Sequence, residues 1–180
     1  MSTKLKAPKS QLIVRRLKAS SPKGFIEFGP FRFACALGQS GIHVLKREGD
    51  GATPSGRFAL REVYYNPAAL RRPSTALAVR KIAVEDGWCD APENRNYNRF
   101  VKHPYPASAE RLWRDDGLYD VVVVLDHNLK PHIRGRGSAI FMHVARSGFK
   151  PTEGCIALRR DDLLKLLGRV SRQTTIITAK

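Results

Sequence analysis

The two residues of this chain best suited to covalent chemistry are His143 and Cys155, twelve positions apart. A thiol attacks a carbonyl as the thiolate, and at an unperturbed pKa of about 8.5 only a few per cent is ionised at neutral pH. An imidazole within reach supplies the missing base, provided its other nitrogen is held by a carboxylate or a backbone carbonyl. The oxyanion formed by the attack also needs donors. The step Gly154-Cys155 can present consecutive N–H groups, each worth about 3 kcal/mol, because glycine tolerates the positive φ of such a nest. The chemistry would be acyl transfer through a thioester. A His and a Cys at this spacing also suit two packed core residues, so spacing alone leaves both readings open.

The surrounding elements must bring the two side chains together. His143 ends the apolar run Ala139–Val144, read as a buried strand. Cys155 follows a turn-like linker and precedes a helix expected over Asp161–Leu167. Asp161 or Asp162 would cap that helix, Leu163, Leu164 and Leu167 would form its face, and Gly168 would end it. Four consecutive valines in Tyr119–Leu125 indicate a strand buried on both faces. Further strands are expected at Gln11–Leu17, Gly24–Phe28, Phe31–Ala36, Arg57–Tyr64 and Thr174–Thr178, with Gly29-Pro30 turning a hairpin. Pro67–Arg72 reads as one helical turn and Ser108–Trp113 as a short helix capped by Ser108. Residues 86–106 are rich in Asp, Asn, Pro and Tyr and read as a long ordered loop. The expected fold is mainly β, a single-domain sandwich or barrel over 11–180 with a few short helices, behind a flexible basic tail at 1–10.

A chain of 180 residues can bury a sizeable core without staples. Its 32 Lys+Arg against 16 Asp+Glu give a formal charge of +16, which attracts polyanions: nucleic acid, anionic membrane or anionic wall polymer. The three cysteines, 35, 89 and 155, form no CxxC pair, and Cys35 and Cys89 read as structural. No apolar run is long enough for a transmembrane helix, and no secretory signal is visible at the N-terminus.

Other clusters have plainer explanations. Asp126-His127-Asn128 with His132 lacks a metal-ligand spacing, and a turn after the valine strand accounts for Asp126 and Asn128. Trp88, Tyr97, Tyr105 and Trp113 either wall a cleft over the nucleophile or anchor the loop to the core. Lys130, Arg134, Arg136, Arg146, Lys150, Arg159 and Arg160 make either a basic rim around the site or an ordinary solvated face.

Three segments in order carry a family resemblance: Gly49-Asp-Gly-Ala-Thr53-Pro54-Ser-Gly56, then Gly135-Arg-Gly-Ser138 leading to His143, then Thr152-Glu153-Gly154-Cys155. Over roughly 11–180 the chain resembles the L,D-transpeptidase catalytic domain of bacterial peptidoglycan metabolism, the YkuD type. The resemblance implies a β-rich fold, with Cys155 as nucleophile and His143 as base, oriented by a backbone carbonyl near Val144. It implies the N–H groups of Gly154 and Cys155 as oxyanion donors. It implies peptidoglycan stem peptides as substrate and neither metal nor organic cofactor. Many members carry His or Arg before the Gly-Cys pair and Arg or Asn two residues after it; here these are Glu153 and Ala157. Arg146, Arg159 and Arg136 are the candidates to replace the missing substrate contact. A monomer facing the periplasm or the wall is expected, with no specific nucleic-acid partner. The competing readings are a non-enzymatic basic domain binding nucleic acid or wall polymer, and another thiol amidase on the same fold. The binding-domain reading leaves the Cys155 and His143 motif without a purpose and shows no nucleic-acid motif.

Overall fold

The computed structural model describes residues 10–18 and 21–179. Residues 1–9 of the expected basic tail lie outside the described residues. Strands β1 (Gln11–Arg16), β2 (Lys23–Phe28) and β3 (Phe31–Ala36) are followed by the two-residue strands β4 (Ile42–His43) and β5 (Thr53–Pro54). Next come the long β6 (Gly56–Tyr65) and β7 (Ala78–Lys81), then β8 (Asp86–Cys89), β9 (Arg99–Lys102) and β10 (Ala109–Arg111). The chain closes with β11 (Val121–Leu125), β12 (Phe141–Val144), β13 (Ile156–Leu158), helix α1 (Arg160–Leu167) and β14 (Thr175–Thr178).

Nine strands form the main sheet in the order β11-β12-β13-β3-β2-β1-β14-β6-β7, and a further pairing of β11 with β6 curls it into a barrel-like single domain. The hairpin at Gly29-Pro30 forms as expected, with Phe28 opposite Phe31. The valine strand shows why its sequence is apolar without alternation. Val121, Val123 and Leu125 point into the main core with Met142, Ile156 and Leu158. Val122 and Val124 point to the other face, into a second core with Trp88, Phe141 and Cys155. A strand covered on both faces has no polar side to show.

The cover over that second face departs from the sequence expectation. Residues 86–106 are not a loop throughout: β8 pairs with β9 and with β10 in a separate three-stranded sheet. Ser108–Trp113 is not a helix, since Ala109–Arg111 is the edge strand β10 of that sheet. The strands are too short, and too interrupted by Asn and Pro, to show a period in sequence. Tertiary pairing overrides the local preference of Ala109-Glu110-Arg111 for helix. Near Cys155 a strand also intervenes, because β13 separates the thiol from α1. The helix starts one residue early, with Arg159 at the N-cap and Asp161 and Asp162 in the first turn rather than capping it, and Gly168 ends it. At Pro67 there is a turn held by Asn66, whose Oδ1 accepts from Ala68 N–H at 3.0 Å.

Candidate active site

His143 and Cys155 come to one face because β12 and β13 run parallel, with His143 opposite Ala157 and Met142 opposite Ile156. Alternate residues on a strand share a face. Cys155 stands two before Ala157, so its side chain emerges on the face that carries Phe141 and His143. The main core takes Met142 and Ile156 on the opposite face. Both side chains line one cavity of about 350 Å³.

A tight loop contact sets the position of Cys155. Gly154 has φ +135°, and a Cβ there would sit 2.7 Å from the Ala52 carbonyl oxygen. Only glycine fits both the backbone angle and the approach. Ala52 belongs to the segment entering Thr53-Pro54, and Thr53 Oγ1 accepts from Gly38 N–H at 2.9 Å. Residues 37–39 then run beside Thr152, which donates its N–H to Leu37 O at 3.0 Å and accepts from Gln39 N–H at 2.9 Å. Thr152 closes the loop: its hydroxyl donates to Cys155 O at 2.6 Å and accepts from Gly154 N–H at 3.2 Å. The Thr-Pro-x-Gly and Thr-x-Gly-Cys segments are thus one packing unit. Gly154 N–H, expected to serve an oxyanion, is engaged by Thr152 in this resting arrangement.

The thiol and imidazole are both buried, at 9% and 7% exposure. Sγ donates to Ala139 O at 3.2 Å and accepts from Phe141 N–H at 3.4 Å. Burial pushes the thiol up to about 12, with the Glu110 carboxylate adding to the rise. Burial pulls His143 down to about 4, against the pull of its bond to Val144 and helped by the cations Arg114 and Arg146. His143 Nδ1 lies 2.8 Å from Val144 O. A carbonyl only accepts, so Nδ1 carries the proton and Nε2 is left as the basic nitrogen. The ring also meets the edge of Tyr119, with centroids 5.3 Å apart.

The cavity has more charges than the sequence revealed. Glu48, Asp90, Glu110 and Glu153 line it together with Arg114, Arg146 and Lys150. Glu48 accepts from Tyr97 Oη at 2.5 Å and from Ser138 Oγ at 2.7 Å. Glu110, its carboxyl raised by desolvation, accepts from Tyr119 Oη at 2.5 Å. Asp90 Oδ1 is buried without a hydrogen-bond partner. No motif announced Glu48, Asp90, Glu110 or Arg114, which come from three separate segments, whereas Glu153 stands in the Thr-x-Gly-Cys segment and Arg146 and Lys150 in the candidate basic rim. Of the three candidate arginines, Arg146 lines this cavity. Arg159 lines a neighbouring cleft instead, and Arg136 lines neither, its carbonyl taking His127 Nε2 at 2.9 Å. His127 also packs edge-on to Phe58, and Asn128 ties down the following turn through Ile133 and Gly137. Trp88 is a core residue meeting Phe141 edge-on, and Tyr105 bonds within its own segment to Asn94 and Asn96. Cys35 and Cys89 are buried at 1% and 0% exposure, and neither lines the thiol cavity.

Such an arrangement suits acyl transfer: a thiol and an oriented neutral imidazole open on a cavity with separated charges. No helix among the described residues is long and apolar enough to cross a membrane. No curated protein and no solved structure gives a significant match to the chain. The L,D-transpeptidase catalytic domain matches it over residues 27–178, from β2 to β14 and through every segment of the site. The chain therefore belongs to the L,D-transpeptidase catalytic domain family.

Proposed function

We propose that the protein is a peptidoglycan L,D-transpeptidase working through a thioester on Cys155. The carrying observation is that Cys155 and His143 open on the same cavity, with His143 Nδ1 tied to Val144 O. Sγ attacks the carbonyl of the third stem residue as its proton passes to His143 Nε2. The imidazolium then protonates the leaving amine of the terminal D-residue, leaving the acyl group on sulfur. An amine of a second stem takes the acyl group and forms a cross-link, or water takes it and shortens the stem. The N–H groups of Cys155 and Gly154 face the oxyanion, which requires Gly154 to exchange its long bond to Thr152.

The thiol near 12 and imidazole near 4 imply that both rest neutral. Moving the proton between them without substrate costs on the order of 10 kcal/mol before their mutual attraction is counted. Proton transfer is therefore coupled to attack on the bound carbonyl. The low basicity of His143 then helps the return step, because its imidazolium gives the proton readily to the departing amine.

The cavity charges support a zwitterionic donor. A diamino third residue carries an ammonium, for which Glu48, Asp90 and Glu110 offer partners, while Arg146 and Lys150 suit a carboxylate. The strongly basic exterior would hold the enzyme near an anionic wall polymer, in keeping with a wall-facing or periplasmic location. Incubation with a disaccharide-tetrapeptide tests this reading. Cross-linked dimer or shortened stem, lost in Cys155→Ala, supports it; neither product with intact protein defeats it.

A further inference from the structure

Two loops, residues 43–50 and residues 130–137, lie side by side and lead into one wall of the thiol cavity. Glu48 N–H donates to Gly135 O at 2.8 Å. The Lys46 stem packs on Gly137, where a Cβ would meet Lys46 Cγ at 2.9 Å. Glu48, together with Ser138 at the end of the second loop, lines the cavity, and Ser138 Oγ donates to Glu48 at 2.7 Å. The inner side of the loops is thus occupied by the cavity wall. Their outer side carries groups that nothing in the fold covers.

Val44 and Leu45 are each 68% exposed, and Ile133 is 55% exposed. Among the described residues seven large apolar side chains are exposed, and three of them stand in these two loops. Single exposed apolar residues are ordinary on a protein surface, whereas a group of them on adjoining loops marks a contact. Arg47, Lys130, Arg134 and Arg136 are exposed on the same loops. Arg134 reaches Glu93 at 3.6 Å, a solvated and therefore weak pair. The other three form no ion pair among the described residues. The loops hold two carboxylates, Glu48 and Asp50, and both are engaged. Glu48 accepts from Tyr97 and Ser138. Asp50 pairs with the buried Lys46 and accepts from the N–H groups of Arg47 and Ala52. The outer side therefore combines apolar tips with uncompensated positive charge.

A soluble polyanion satisfies the cations but gives Val44, Leu45 and Ile133 nothing to bury against. An anionic bilayer serves both, because lipid phosphates meet the cations while the boundary of the acyl chains takes the apolar tips. We propose that this two-loop lip docks the protein on an anionic lipid surface. Val44, Leu45 and Ile133 enter at headgroup level, and Arg47, Lys130, Arg134 and Arg136 meet lipid phosphates. Docking turns the Glu48 and Ser138 wall of the thiol cavity toward the bilayer. The surface stands apart from the thioester reading, and its test needs no turnover.

Co-flotation of the full chain with vesicles tests the docking surface. Vesicles of equimolar phosphatidylcholine and phosphatidylglycerol are compared with phosphatidylcholine alone in physiological salt. The parent is expected to float with the anionic vesicles and to stay behind with the neutral ones. Val44→Ser combined with Leu45→Ser should weaken anionic binding about tenfold or more, as expected when aliphatic chains no longer leave water. Arg134→Gln combined with Arg136→Gln should weaken it about 25-fold, from roughly fivefold per cation near the surface. Arg71→Gln combined with Arg72→Gln removes the same charge beside Pro67, and Val84→Ser removes an exposed apolar chain next to Glu85. Neither control should change binding by more than about twofold, because distant charges are screened. Leu45→Trp should shift its emission to the blue on anionic vesicles, and Val84→Trp should not. All these side chains are exposed, and circular dichroism checks that each variant is folded.

A parent that ignores anionic vesicles overturns the docking surface, even if the lip then proves to hold a protein. Equal losses in the Arg71, Arg72 and the Arg134, Arg136 variants also overturn it, since net charge alone would then drive binding. Unchanged binding in the Val44, Leu45 variant, or Leu45→Trp emission that vesicles leave unmoved, overturns it as well, because no apolar tip would enter the lipid.

Discussion

Cys155 Sγ donates to the carbonyl oxygen of Ala139 at 3.2 Å, a bond that holds the thiol proton on a neutral acceptor. Ala139 itself has φ +50°, an angle that costs a non-glycine residue roughly 1–2 kcal/mol. Asn98 holds it there by accepting its N–H at 3.1 Å. The Cys155 thiol is thus held protonated in a pocket shaped by a strained residue.

That storage predicts how the free thiol reacts. Thiolate labelling by iodoacetamide should keep rising above pH 9, toward the pKa near 12, with no plateau near neutrality. A plateau between pH 5 and 8 would reveal a preformed thiolate–imidazolium pair. By contrast a carbapenem, which brings its own carbonyl, should acylate Cys155 at pH 7 and leave Cys35 and Cys89 untouched. Cys35 is similarly raised to about 12 by burial, so equal labelling of the three by the carbapenem would remove the case for a selected nucleophile.

Stability should depend on pH through His143. Its pKa is depressed from 6.5 to about 4, so the neutral ring stabilises the fold fully above pH 6.5. That contribution is lost as pH falls through 4, and amounts to about 3 kcal/mol. Unfolding of the parent and of His143→Gln by urea at pH 7 and pH 4 isolates it. The parent should lose more stability than the variant over this range; equal losses would contradict a buried neutral imidazole. The same variant should lower kcat by about 10²–10⁴-fold.

Gly154→Ala should be far worse than Gly135→Ala. Both have positive φ, but a Cβ at Gly154 meets Ala52 O at 2.7 Å whereas nothing lies within 4 Å of one at Gly135. Gly135→Ala should cost roughly 1–2 kcal/mol, a fall in Tm of a few degrees for a domain of this size. Gly154→Ala should cost several degrees more and abolish acylation. Similar melting curves would mean that the Ala52 contact yields easily.

Thr152→Val keeps the shape of the side chain and removes its hydroxyl. The variant leaves Gly154 N–H and Cys155 O without their partner, at a cost of about 1–3 kcal/mol. If the hydroxyl sets the nucleophile loop, carbapenem acylation at Cys155 should slow at least tenfold at a temperature where the variant is fully folded. A slower rate explained wholly by unfolding would reduce Thr152 to a structural role.

Much of the fold was legible because it depends on local pattern. The uninterrupted Val121–Leu125 run announces a strand covered on both faces, and the structure puts a core on each. The β2–β3 hairpin follows from Gly29-Pro30 between apolar runs. Residues 86–111 differ from the sequence expectation, because β8, β9 and β10 are short strands that hold together by pairing with one another rather than by periodicity.

The site divides in the same way. His143 and the segment Thr152–Cys155 lie close in sequence, and their residue types alone, with Thr53-Pro54, were enough to mark the family. Which charges surround that thiol depends on pairings between distant strands. Folding brings Glu48, Asp90, Glu110 and Tyr119 to the cavity, while Arg136 bonds elsewhere through its carbonyl and Arg159 lines the adjoining cleft. The protonation of Cys155 and His143 was equally beyond sequence, because burial sets it and burial is a property of the packed barrel and its three-stranded cover. Sequence determined the family and which thiol its motif marks; the tertiary structure decided the field around that thiol.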